Sequence, residues 1–109
     1  MNFTEYQAEA TETAVYPDRG KNLYYPALGL NGEAGEVAEK VKKLMRDHGG
    51  ILTDDIAESI AKELGDCLWY IAETATQIGA SLDAIANANI EKLRSRQKRG
   101  VIQGYGDNR

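Results

Sequence analysis

The stretch "GEAGEVAEKVKKLMRDHGG", Gly32 to Gly50, decides the fold class. Counted from Leu30, the apolar positions Leu30, Ala34, Val37, Val41 and Leu44 alternate four and three apart, the spacing of a helix packed along a seam. "DHGG" closes the helix, because glycine takes the left-handed conformation past a helix end at little cost. His48 there is a helix-end residue favoured by the dipole. Read backwards, the helix begins at Asn22 or Pro26, so it runs to Asp47 from one of these. Glu33, Glu36 and Glu39 repeat an acid every third residue on it, and like charges so placed repel unless something positive sits among them. The row is either a solvated acidic stripe or half of a cation site.

The rest of the chain supports the helical reading. Residues 3–14 place Phe3, Tyr6 and Ala10 on one face. A third helix starts at "TDD", where Thr53 suits the cap and Asp54 and Asp55 suit the positive end of the dipole. Its stripe is Ile56, Ile60, Leu64, Cys67/Leu68, Ile71, Ala75 and Ile78, and Gly79 ends it. Ser81 caps a fourth helix to about Lys98, with Leu82, Ile85/Ala86, Asn89 and Leu93 on its stripe. Only "GVIQGYG" near the end has any strand character. The expected fold is all-α: a four-helix chain with a central antiparallel helix hairpin, one domain over residues 1–109 with a basic tail at 98–109.

Composition excludes several classes. At 109 residues, with 42% hydrophobic and 28% charged residues, the chain fits one soluble domain, and no apolar run approaches the roughly 20 residues that span a bilayer. The N-terminus lacks a basic start and an apolar core of the signal-peptide kind. A single cysteine, Cys67, gives no disulfide framework and fits a reducing cytoplasm; on the apolar stripe it reads as a small hydrophobe. A single His48 leaves no His-rich cluster. The net charge of −4 divides unevenly, about −8 over residues 1–88 and +4 over 89–109. One aromatic, Tyr105, in the tail "RSRQKRGVIQGYGDNR" makes a poor nucleic-acid platform, and an arm that closes over a phosphate-bearing ligand suits it better.

The third helix carries its own acid pair, Glu63 and Asp66 in "KELGDCLWY". At about 1.5 Å per residue, Glu36 lies roughly 16 Å before the turn and Glu63 roughly 14 Å after it, so an antiparallel hairpin brings the two pairs level. Four carboxylates that close need raised pKa values or a cation. Hard oxygens without His or Cys select Mg²⁺, with Mn²⁺ as a substitute, and the companion ligand of such an ion is a polyphosphate.

With E-x-x-E in "GEAGE" and E-x-x-D in "ELGD", flanked by "KNLYYPALGLNGEAGEVAE" and "CLWYIAETATQIG", the chain resembles the MazG-like all-α nucleoside triphosphate pyrophosphohydrolases from about Lys21 to Arg96. The resemblance implies hydrolysis of an NTP or dNTP between the α- and β-phosphates, with Glu33, Glu36, Glu63 and Asp66 as Mg²⁺ ligands and catalytic groups. A glutamate not saturated by metal is the candidate general base. A chain of this length leaves its long helices half-covered, so a homodimer or homotetramer, a helical-bundle oligomer, is expected. A pyrophosphatase dedicated to one nucleotide, of the dUTPase or dCTPase kind, is the alternative within the superfamily. A non-enzymatic helical interaction module is the alternative outside it.

Further candidates follow the same resemblance. Tyr70, on the face of Glu63 and Asp66, is placed to touch sugar or phosphate, or else is a core tyrosine. Lys21 and Asn22 match a Lys-Asn-Leu stretch of relatives, although Asn22 also suits an N-cap. Asn89, polar on an apolar stripe, either hydrogen-bonds within the bundle or reaches the phosphates and metal; many relatives carry a lysine there and an asparagine where this chain has Leu93, which shifts the phosphate anchor to Lys92 or Arg96. Trp69 is assigned to packing or a subunit contact. Glu39 is assigned to solvent, offset by Lys40, Lys42 and Lys43.

Overall fold

A computed structural model describes residues 1–109 as four helices and no strand: α1 (Phe3–Thr13), α2 (Tyr24–Asp47), α3 (Asp54–Gln77) and α4 (Leu82–Lys98). The helix starts are capped by side chains that take up otherwise unpaired amides. Asn2, Thr53 and Ser81 accept from the amides of Glu5, Ile56 and Ala84. α2 is capped from one residue further out, by Asn22 Oδ1 accepting from the Tyr25 amide at 3.0 Å. Gly49 and Gly50, with φ of 60° and 76°, make the reversal into α3 that an L side chain resists.

α2 and α3 meet along their whole length. The Asn22 amide donates to Gln77 Oε1, Gly29 lies against the Tyr70 ring, and Lys40 reaches Ser59 and Glu63. For each step towards the turn on α2, its partner on α3 steps towards the turn as well. The seam, however, is rotated from the one the apolar spacing predicts. Leu30, Val37 and Leu44 are half-buried, as are Glu33 and Lys40, whereas Ala34 and Val41 are exposed. On α3, Leu64, Ile71 and Ile78, seven residues apart, are exposed rather than buried. A helix with two apolar flanks can turn only one of them to a single partner.

Across the far half of α3 lies the small core: Ala10, Ala72 and Leu82, with Tyr6, Leu68 and Trp69 packed on it. α4 touches α1 and α3 and not α2. Of its expected stripe, Leu82 is buried and Ala86 half-buried, but Ile85, Asn89 and Leu93 are exposed, since no other element of the chain covers them. The radius of gyration is 16.8 Å, where a compact chain of this length has about 13 Å, so the helices stand splayed and half-covered. "GVIQGYG" forms turns and bends rather than a strand. The tail folds back on itself: Arg109 donates to the carbonyls of Val101, Ile102 and Gly106, and Arg96 to that of Asp107.

Candidate functional site

Glu33 from α2 and Glu63 and Asp66 from α3 each bring one carboxylate oxygen into a group whose members all lie within 4.8 Å of one another. The level of this meeting follows from helix rise, and its members follow from rotation. Glu63 and Asp66, three apart, share a face of α3, and Glu33 sits in the rotated seam opposite them. Glu36 is level with Glu63 but exposed, and it stands outside the group.

The electrostatics reflect this crowding. Partial burial pushes the Glu33 carboxyl above the usual carboxylate range, and Asp66, a hydrogen bond with Glu63 and the charge of Glu36 add to the effect. Cys67 is pushed up too, by burial first and then by Glu33, Asp66 and Glu63, which makes it a protonated, inert neighbour. Three hard oxygens that repel one another, with only partial relief from the protein itself, form a donor set of the kind that fits a hard divalent cation such as Mg²⁺ or Mn²⁺. Only one cation of the chain touches the group: Lys40 lies 3.2 Å from Glu63 Oε1. Of the three lysines expected to offset Glu39, only Lys42 at 2.9 Å and Lys43 at 3.8 Å do so.

A cavity of about 340 Å³ opens beside the carboxylates, lined by Thr13, Glu33, Asp66, Trp69 and Tyr70. Trp69 packs on the core as expected and is also part of this wall. It lies three residues after Asp66, and its indole Nε1 donates to Thr13 Oγ1 at 2.8 Å, which fixes the ring plane. Tyr70 stands edge-on to it at 5.0 Å and approaches Tyr25 at 6.3 Å, while Tyr25 stacks on Tyr16 at 4.7 Å. Burial pushes the Tyr70 phenol up, as do neighbouring Tyr25, Glu33 and Asp66. The wall is braced from behind by buried Glu73, whose Oε2 accepts from the Tyr16 hydroxyl at 2.7 Å. Gly29 was an unread signal: a Cβ there would lie 2.2 Å from the Tyr70 ring, so only glycine admits the tyrosine.

The other sequence candidates lie elsewhere. Asn22 commits its amide, Oδ1 and Nδ2 to Gln77, Tyr25 and Pro17, which makes it the α2 cap. Lys21 is exposed in the turn before α2. Asn89 and Lys92 are exposed on α4, which does not reach α2, and Arg96 is buried under the tail carbonyl of Asp107. None of these lines the cavity beside Glu33 and Asp66.

Fold and site together define a class, an all-helical domain that gathers carboxylates from two long helices next to an aromatic-walled pocket. The MazG nucleotide pyrophosphohydrolase domain profile matches residues 26–101, and the chain belongs to that family. It is 46% identical over 114 aligned residues to the Gene 37 protein of Mycobacterium phage L5, with the whole of both chains covered. No solved structure matches it.

Proposed function

We propose that this chain is a Mg²⁺-dependent nucleoside triphosphate pyrophosphohydrolase, releasing a (d)NMP and pyrophosphate from a (d)NTP in the cytoplasm. The observation that carries the proposal is the approach of Glu33, Glu63 and Asp66 to within 4.8 Å of one another at the mouth of a pocket walled by Trp69 and Tyr70. Glu33, Glu63 and Asp66 are the preassembled part of the ligand set, and Glu36 is its exposed fourth member. Mg²⁺, when bound, supplies neutralisation and alignment of the triphosphate. Trp69 and Tyr70 offer faces on which a base or sugar packs, and they shield the reacting end from water. Lys92 and Asn89 act as phosphate-side groups from a second copy, since α4 does not reach the cavity of its own chain.

That second copy is part of the proposal: an antiparallel α2–α3 hairpin pairs into a helical-bundle dimer or tetramer. The exposed row Leu64, Ile71 and Ile78 and the splayed, half-covered helices support it. Pyrophosphate release from the eight common NTPs and dNTPs, with and without Mg²⁺, is the test, run beside Glu36→Gln and Asp66→Asn. Metal-dependent release that both variants abolish is expected. Absence of release from all eight, or full activity in both variants, removes the enzyme reading and leaves an interaction module.

A further inference from the structure

Lys40 is the residue that the two acid motifs leave unexplained. Its place on α2, four residues after Glu36, gives it to the outer acids of that helix. Its ammonium instead crosses to α3, where it sits 3.2 Å from Glu63 Oε1 and donates to Ser59 Oγ one turn nearer the hairpin bend. The side chains of Lys40 and Glu63 are 32% and 17% exposed, so the pair is better shielded than a surface ion pair, and two points of attachment on α3 hold it. Glu39 keeps its own partners in Lys42 and Lys43, so Lys40 is not shared outward. Glu63 is at the same time one of the three carboxylates gathered within 4.8 Å.

Resting on the cation-site reading above, we infer that Lys40 is a tethered counter-ion of that carboxylate group. It competes with a divalent cation for Glu63 and so sets the ion concentration at which the site fills. The residue pulls on metal affinity in two directions. By holding Glu63 Oε1 it orients a ligand, which favours the ion. By placing a fixed positive charge against that ligand it repels the ion, and a divalent ion feels the repulsion twice as strongly as a monovalent one. The charge prevails, because Glu63 lies largely buried in the α2–α3 seam and its orientation does not rest on Lys40 alone.

The test is calorimetric titration of the nucleotide-free protein with Mn²⁺, comparing wild type with Lys40→Met, Lys40→Gln and Lys40→Arg. Glutamine retains a polar amide donor but carries no charge, and it serves if the methionine variant fails to fold. Both neutral variants are expected to bind Mn²⁺ about tenfold more tightly, a shift of the size that one shielded charge imposes at these separations, while arginine stays within about twofold of wild type. Unchanged or weaker binding in Lys40→Gln overturns the inference. A wild-type protein that takes up no Mn²⁺ removes the cation-site reading itself, and this inference with it.

Discussion

Removing one oxygen atom, in Tyr16→Phe, tests how firmly the aromatic wall is anchored. The Tyr16 hydroxyl donates to Glu73 Oε2 at 2.7 Å and accepts from Gln77 Nε2 at 2.6 Å, while Glu73 Oε1 has no hydrogen-bond partner. Both Glu73 and Tyr16 are buried, at 1% and 6% exposure, so water cannot readily take the place of the lost hydroxyl. Phenylalanine keeps the ring that stacks on Tyr25 and takes away the one hydrogen bond of the Glu73 carboxyl. A hydrogen bond to a charged group is worth about 1.5–3 kcal/mol, and the stranded Gln77 amide adds about 1 kcal/mol, for a loss of roughly 2.5–4 kcal/mol. With an unfolding entropy of about 2.1 cal/mol/K per residue, a chain of this length loses about 4 °C of Tm per kcal/mol, which predicts a fall of roughly 10–16 °C. Thermal melts at one fixed protein concentration measure it. A fall under about 3 °C refutes the claim that this pair clamps the α1–α2 connection to α3.

The same contact has a pH signature. Burial, and then the hydrogen bond to Glu73, push the Tyr16 phenol up to about 12 from its ordinary value of 10.0. The folded protein therefore holds this proton more tightly than the unfolded chain. The stability it contributes is fully present below the unfolded pKa near 10 and is lost as pH climbs towards 12. Tyr16→Phe is expected to remove this alkaline slope from the melts.

Two further substitutions probe the carboxylates and the wall. Glu33→Gln removes the acid whose pKa is raised by partial burial and then by Asp66, Glu63 and Glu36, so it raises the metal-free Tm at neutral pH and abolishes the Mn²⁺-dependent rise of the wild type. Because a raised carboxyl stabilises the fold only where it is protonated, the advantage of the glutamine variant shrinks as pH falls from neutral into the acid range, which paired melts at neutral and acid pH check. Gly29→Ala puts a methyl group 2.2 Å from Tyr70 Cε1. It is expected to cost about 1–3 kcal/mol and to change the near-ultraviolet circular dichroism of the Trp69–Tyr70 pair, whereas an unchanged spectrum would show that the ring is not confined there.

Much was determined by sequence alone because it depends on local geometry. Four helices, with the ends at Thr53, Asp47, Gly79 and Ser81, follow from side-chain caps and glycines that act within a turn of their own position. Helix rise put Glu36 and Glu63 at the same height along α2 and α3 before any contact was known. Rotation about the helix axis is another matter. Both α2 and α3 carry more apolar positions than one partner can cover, so spacing alone leaves the seam undecided, and the expected Val41, Leu64 and Ile71 lie outside it. Tertiary packing chose the face that takes in Glu33 and Lys40, leaves Glu36 exposed and turns Trp69 into the cavity. Gly29 set part of that choice by letting Tyr70 close against α2. Asn89, Lys92 and Arg96 show the same limit on α4, whose stripe one chain does not bury. Height along a helix is additive in residue number and can be counted. Azimuth depends on which partner arrives, and only the folded chain supplies the partner.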